Sequence, residues 1–468
     1  MKLRSRVDTL SRRNTSYFAI SSVGGKSTVS NFRKNAWSFR AGSSRFRKYK
    51  HQLSSWAIPA LYAVIAIGAG FTLPRFESRI FPGLISPLSI SAASAIYSAI
   101  ASGMIALTGI VFSLTFVMVQ FSATAYSPRL VLWIARDRVM SHALGMFTAT
   151  FLFAIAALAS VDRNGSGKVP FVSVWVETAL LLASVGMFIA LIHRIGLLQV
   201  NRMLVFTGEQ GRKVIAELYP VSNNVEAVTG AVDFGGLPPT QTLIHHGRPL
   251  TIQALDVAWL VGIARASDGV IEMLGAVGDT VLESTPLLHV YAAETSVDEA
   301  KLRDGVQLGE ERTFEQDPKY AIRLLVDIAI KALSPAINDP TTAVQALDQI
   351  EDLLVRMGRR HLEIGKYDDS NGKLRLVVPF PSWDDLLRLS FDEICACGAT
   401  SVQVMRRMNA LLADLARAVP AERRANVQYW SGRLKTTIAR SFVDDEERVE
   451  ALKEDRQGLG VPRHVPSS

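Results

Sequence analysis

The sequence predicts a multi-pass α-helical membrane domain with four spans, followed by a cytoplasmic α+β domain. Two observations predict this fold class. Hydrophobic residues make up 49% of the 468-residue chain, and they are concentrated between Trp56 and Ile192 in runs long enough to cross a bilayer. After Gln199 the chain instead shows the amphipathic patterning of a soluble protein.

Residues 1–52 are predicted to form a basic, disordered segment. From Met1 to Lys50 the chain carries thirteen Lys or Arg and one acid, Asp8, with no apolar periodicity, so this segment cannot bury a core. Much of the formal net charge of +8 lies here rather than in a basic patch on a folded domain, which argues against nucleic acid as a partner. The preferred interpretation is a positive-inside topology signal, and contact with anionic lipid is the alternative.

Residues 53–200 are predicted to form the transmembrane domain. The apolar runs place the four spans at Trp56–Leu73, Ile90–Phe121, Ala143–Val161 and Phe171–Ile192. The second run is longer than a hydrocarbon core of roughly 30 Å at about 1.5 Å per residue, so it must tilt, kink or project beyond the membrane. Cationic residues precede the first span, separate the second from the third and follow the fourth. This pattern, with an even number of spans, predicts that both termini lie in the cytoplasm.

The second span mixes small and polar side chains with apolar ones. Its candidate pore-lining or helix-packing residues are Ser102, Gly103, Gly109, Ser113 and Gln120. Small residues let another helix approach closely, and hydroxyl groups within a span often bond to their own backbone. Tight helix packing is therefore the preferred interpretation, and pore lining is the alternative.

Three charged residues are candidates for the membrane interface. Arg129 follows the second span as a phospholipid anchor, and Arg194 closes the fourth span. Glu177 is the one carboxylate within a predicted span, and such a residue is by default a candidate for binding an ion or a proton. A small inward shift of the span would place Glu177 at the level of the outer headgroups, and that is the preferred interpretation.

Beyond the spans, residues 201–316 are predicted to form a linker and a small β module, residues 317–456 a mainly helical domain, and residues 457–468 a disordered tail. Short β-like runs alternate with turns from Leu243 to Tyr291, and a further strand is expected at Lys373–Pro379. The remainder of the chain, from Trp383 to Lys453, is predicted to be a helical hairpin.

The connector between two predicted helices holds the ligand-binding candidates Asn338 and Asp339. These side chains could bind a cation or a polar ligand. Asn-Asp-Pro is also ordinary turn and cap chemistry, with Asp339 as N-cap and Pro340 in the first helical position, and this structural interpretation is preferred.

The residues do not favour an enzyme. The sequence contains no nucleophile elbow, phosphate-binding glycine loop or metal-ligand cluster, so no catalytic residue, metal or cofactor is predicted. The two cysteines, Cys395 and Cys397, are interpreted as packing residues.

Two stretches resemble a bacterial family of predicted membrane proteins that is known only as a domain of unknown function. They are the end of the second span with its exit, Phe112–Arg129, and the connector Ala332–Pro340. The resemblance runs from about residue 54 to residue 453, and it implies kinship without an activity.

The functional hypothesis is an oligomeric channel or transport-like protein with a cytoplasmic regulatory domain. Its expected partners are the lipid bilayer, further copies of the same chain, and an ion or small solute as the species carried. The alternative is a membrane-tethered sensor or scaffold that conducts nothing and whose cytoplasmic domain binds a ligand or a protein.

Overall fold

The computed structural model describes residues 57–80, 86, 88–125, 138–159, 161, 169–195, 200–220 and 236–460. The basic segment 1–52 and residues 461–468 of the expected tail lie outside the described residues. Residues 457–460 form a turn in which the Asp455 carboxylate accepts hydrogen bonds from the backbone N–H groups of Gln457 and Gly460, at 2.9 and 2.6 Å.

Four apolar helices form the N-terminal domain. They are α1 (Ala57–Ile80), α2 (Ile90–Ala125), α3 (Arg138–Leu158) and α4 (Phe171–Ile195). Each contains a candidate membrane span, at Ala57–Glu77, Ile90–Val117, Val139–Leu158 and Phe171–His193. The four apolar helices expected from the sequence are therefore present, with bounds that differ by a few residues.

The sequence pattern predicted that the first span ends at Leu73, but helix α1 does not end there. It passes through Pro74 and continues to Ile80. Proline removes one backbone hydrogen bond but is tolerated in membrane helices, because neighbouring groups satisfy the freed carbonyl. The extra turns bring Glu77 to the beginning of α4.

Helix α3 is the centre of the bundle and packs against α1, α2 and α4. Half of its span is buried, compared with 17% of each of the other three spans. Helix α2 has 36 residues, or roughly 54 Å at about 1.5 Å per residue. It is therefore longer than its own candidate span, in agreement with the expected excess length.

The C-terminal domain begins with the amphipathic helix α5 and continues as a mixture of helices and strands. In chain order its elements are α5 (Val200–Leu218), β1 (Gln241–Ile244), β2 (Leu250–Leu255), α6 (Val257–Ala266), β3 (Val270–Met273), β4 (Thr280–Val281), β5 (Pro286–Tyr291), α7 (Glu299–Asp304), β6 (Val306–Gly309), α8 (Pro318–Ala332), α9 (Pro340–Gly358), β7 (Lys366–Asp368), β8 (Leu374–Val377), α10 (Trp383–Cys397), α11 (Val402–Ala418), α12 (Ala421–Ser441) and α13 (Asp445–Ala451).

The strands form two sheets. One has five strands in the order β1-β5-β3-β8-β7, and the other has three in the order β4-β2-β6. Strand β8 pairs in parallel with β3, with Ile271 opposite Leu376, and the other pairs are antiparallel. The strand expected at Lys373–Pro379 thus belongs to the same sheet as the strands of the β module, so that module and the later helical region share one sheet.

Helix α6 is a correction to the expected run of β-like segments from Leu243 to Tyr291. Asp256 caps it by accepting a hydrogen bond from the backbone N–H of Trp259 at 3.0 Å. Leu260, Val261 and Ala264 then face the core beneath the two sheets. An apolar helix of ten residues has the same composition as a buried strand pair, which explains the error.

The remaining helices form one apolar core. Helix α5 packs on α8 and α9, and α8 also contacts α2, so the two domains meet through that helix. The helical hairpin expected after Trp383 is instead four helices. Gly398 ends α10, Ser401 caps α11 and Asp444 caps α13.

Candidate functional site

The outward face of α2 carries most of the residues that the sequence singled out. Its inward face is apolar, and the buried residues there are Ala93, Tyr97, Ala101, Met104 and Val111. At about 100° per residue, Ser102, Gly109, Ser113 and Gln120 fall within roughly 40° of one another on the opposite side. All four are exposed, as are Ala95, Ala99 and Ala106 on the same side. We call these seven residues the α2 stripe.

The six stripe residues from Ala95 to Ser113 are exposed and are not covered by any described helix of the chain. A Cβ atom added at Gly109 would meet no heavy atom within 4 Å. Gly103 is equally open, but it lies about 100° round the helix from Ser102, at the edge of the stripe. The choice between helix packing and pore lining therefore concerns a surface that the described part of the chain leaves uncovered.

A second polar feature lies inside the bundle, where Glu77 of α1 caps helix α4. Its carboxylate accepts hydrogen bonds from the backbone N–H groups of Val172 and Ser173, at 2.8 and 3.3 Å, and from the Ser173 hydroxyl at 3.4 Å. A helix N-terminus favours a negative charge because its first N–H groups have no partner within the helix. Glu77 is buried, so the cap also ties α1 to α4.

Glu177 lies one turn of helix beyond Ser173, within the same bundle. Its side chain is 1% exposed and faces the neighbouring helices rather than the perimeter. Neither carboxylate oxygen has a hydrogen-bond partner within the described ranges, and the same holds for the hydroxyl of buried Tyr97 on α2. Tyr97 packs in the same apolar cluster as Val174 and Val176 of α4, which lie within three residues of Glu177.

Further polar contacts continue along the bundle towards its other end. The hydroxyl groups of Thr150 on α3 and Ser184 on α4 lie 2.8 Å apart, and both residues are fully buried. At the beginning of α3, His142 Nδ1 lies 3.2 Å from the hydroxyl of Tyr62 on α1. These contacts satisfy their polar atoms, which contrasts with the state of Glu177.

The side-chain positions of the other two interface candidates are not described by the structure. Arg129 lies outside the described residues, and Arg194 belongs to α4 but its side chain lies outside the described part.

Glu77 and Tyr97 were not among the sequence candidates. Glu77 was missed because the first span was expected to end before Pro74. Tyr97 has a detectable signal, since it shares the apolar face of α2 with Ala93 and Ala101.

The connector between α8 and α9 has the geometry of a helix cap. The Asp339 carboxylate accepts from the backbone N–H of Thr342 at 3.1 Å and from its hydroxyl at 2.5 Å. Pro340 occupies the first position of the helix, and Asn338 adopts a positive φ of 49°, which asparagine tolerates better than most residues. The Asp339 carboxylate is thus already engaged within its own helix.

Ion pairs in the C-terminal domain tie strands and helices together. Buried Arg375 on β8 donates to Asp369 and to Asp268, each at 2.7 Å. The hydrogen bond from Arg375 is the main cause that lowers the pKa of Asp369. Asp317, the N-cap of α8, is paired with Arg312 at 2.6 Å, yet its burial raises its pKa. These clusters join elements of the fold, and the described residues contain no group of three or more side chains able to hold a metal ion.

The fold and the groups inside it define a class of protein. Four candidate spans, with polar contacts buried between them, precede a C-terminal domain of mixed helices and sheets. These features are typical of a multi-pass helical membrane protein.

The chain belongs to the family described as "Predicted membrane protein (DUF2254)", which matches residues 52–414. The resemblance noted in the sequence is confirmed over that range. Two similar relatives are Uncharacterized protein Mb1321c of Mycobacterium bovis and Uncharacterized protein Rv1290c of Mycobacterium tuberculosis. Each is 27% identical over 415 residues, covering 85% of this chain and 78% of the relative. No solved structure matches the chain.

Proposed function

We propose that the protein is an oligomeric channel or transport-like protein of the bacterial inner membrane, in which copies of the chain meet at the α2 stripe. The observation that carries this proposal is the exposure of a small and polar face on the longest apolar helix of the bundle. The species carried is an ion or a small solute.

The composition of the stripe supports a contact with protein or water rather than with lipid alone. Large apolar side chains flank it on both sides, including Ile105, Ile110 and Phe116, which are all more than half exposed. Those side chains are suited to contact with the acyl chains of lipids. Between them, Ala and Gly positions allow another helix to approach closely, and the hydroxyls of Ser102 and Ser113 provide hydrogen-bonding groups for a path.

The placement of charge supports an orientation with both termini and the C-terminal domain in the cytoplasm. Arg and Lys are dense before α1 and recur after α2 and after α4, as the positive-inside rule requires. In that orientation the contact between α8 and α2 gives the C-terminal domain a direct means of regulating the helix that carries the stripe.

Flux through liposomes tests the proposal. Purified protein is reconstituted with potassium or chloride gradients, and flux is followed with ion-sensitive dyes. Gly109→Leu is expected to abolish most of the flux. The leucine side chain would project from the stripe into the proposed path or contact between copies, because no atom of the same chain lies within 4 Å of a Cβ there. Gly186→Leu is the matched control, since Gly186 is an exposed glycine of α4 that also has no neighbour within 4 Å.

Two results would overturn the proposal. Wild-type flux in Gly109→Leu would show that the stripe does not line or form the conducting path. Liposomes that are silent to both ions, together with a monomeric mass in detergent, would favour the alternative of a non-conducting sensor or scaffold whose C-terminal domain binds a ligand or a protein.

A further inference from the structure

Glu177 is an acid without a partner in the interior of the helix bundle. It is 1% exposed, and both carboxylate oxygens lack a hydrogen-bond partner in the part of the chain that the structure describes. It lies six residues into α4, or roughly 9 Å along the helix from Phe171. A carboxylate buried in this way would lose its hydration without receiving a replacement.

Among the described side chains, the groups that face Glu177 from the other helices do not supply a positive charge. Helix α1 contributes Glu77, which is itself an acid and accepts from the backbone of α4, and α2 contributes Tyr97, which packs in the same apolar cluster as Val174 and Val176. The titratable side chain of α3 that the structure describes is His142, which is engaged with Tyr62. It lies eight residues from Thr150, or about 12 Å, on the side of the Thr150–Ser184 contact away from Glu177. Arg75 of α1 is exposed.

Glu77 and Glu177 are therefore two acids in contrasting environments. Glu77 accepts three hydrogen bonds at a helix N-terminus. Glu177 accepts none from the described residues, and a second negative charge near Glu77 would be repelled. An unpaired charge in an apolar interior costs far more than a neutral acid in the same place.

We propose that Glu177 is a proton-binding site, at which the carboxylate takes up a proton within the helix bundle. A proton suits this site better than a metal ion. Hard divalent cations take about six or more oxygen ligands. Among the described side chains in this part of the bundle, the oxygens without a hydrogen-bond partner are the two of Glu177 and that of Tyr97, whereas those of Glu77 already accept from α4.

The proton site does not depend on the proposed transport function. It requires only that the bundle keeps Glu177 buried and that protons reach it from one side of the membrane. A non-conducting protein could use the same group to respond to pH, and a transport protein could use it to couple a proton to its cargo.

Infrared difference spectroscopy of the full-length protein in lipid nanodiscs tests the site. The wild-type protein is expected to show the carbonyl-stretch band of a protonated carboxylic acid at neutral pH, and the band should shift when glutamate carries ¹³C. Glu177→Gln should remove that band. Gln has the shape of the neutral acid, so thermal stability should be retained. Glu77→Gln should leave the band in place.

Each other outcome speaks against the site. A band that survives in Glu177→Gln and disappears in Glu77→Gln would show that the protonated acid is Glu77. A wild-type spectrum without an isotope-sensitive carboxylic-acid band would show that Glu177 is ionised, whether or not the variant folds. A band that sodium or potassium suppresses would assign the site to a metal cation instead.

Discussion

Replacing Gly70 with alanine tests the packing of α1 against the central helix α3. A Cβ atom at this position would lie 2.5 Å from the Cβ of Ala156 and 3.3 Å from the backbone oxygen of Phe153. Ordinary carbon contacts are about 3.5–4.0 Å, so the two helices would have to separate by roughly 1 Å. No flexible side chain can move aside, because both contacting atoms belong to the body of α3.

Overpacking of this kind costs about 1–3 kcal/mol. Gly68→Ala is the control on the same helix, since a Cβ there would meet nothing within 4 Å. Both substitutions carry the same gain in helix propensity, of up to about 1 kcal/mol, so the difference between them isolates the clash. Unfolding by a sodium dodecyl sulfate titration in mixed micelles, followed by tryptophan fluorescence, measures that difference. Equal stability of the two variants would refute the close packing of α1 on α3.

Two further predictions concern the C-terminal domain. The folded-state pKa of Asp369 is lowered, so the stability that it contributes is complete above its unfolded value of about 3.9 and is lost as the pH falls through the folded value. The thermal destabilisation of Asp369→Asn should therefore be present at about pH 6 and shrink as the pH is lowered towards 2; a difference independent of pH would contradict the ion pair with Arg375. Asp339→Ala removes the acceptor for the Thr342 N–H and should cost about 1 kcal/mol in denaturant unfolding, while Asp339→Asn should cost less because asparagine also caps helices. Equal losses in the two variants would contradict the capping role.

The four apolar helices were predictable because each has a signal in its own local sequence. A long apolar run bounded by charged or turn residues needs no knowledge of the rest of the fold. The cap at Asp339 and Pro340 was predictable for the same reason, since it depends on adjacent residues.

The inner face of the bundle was not predictable in the same way. Pro74 normally ends a helix in water, and the continuation to Ile80 depends on neighbouring helices. Glu77 consequently looked like a loop residue. The burial of Glu177 likewise depends on which side of α4 meets α3, and apolar residues on every side of a membrane helix conceal that orientation.

The sheet of the C-terminal domain depends on contacts between distant segments. Ile271 and Leu376 pair across more than a hundred residues of chain that include α8 and α9. Local alternation predicts a strand at each position. It contains no information on which strands become neighbours, and the parallel pairing of β3 with β8 therefore emerges only from the fold.

Cross-linking at the α2 stripe is the most direct test of the central claim that copies of the chain meet there. Single cysteines at Ser102, Gly109 or Ser113, in a chain with Cys395→Ala and Cys397→Ser, are treated in native membranes with a short bismaleimide. Linked dimers are expected at these positions, and monomers are expected for the control Gly186→Cys. Monomers at all three stripe positions, or equal linkage in the control, would contradict the claim.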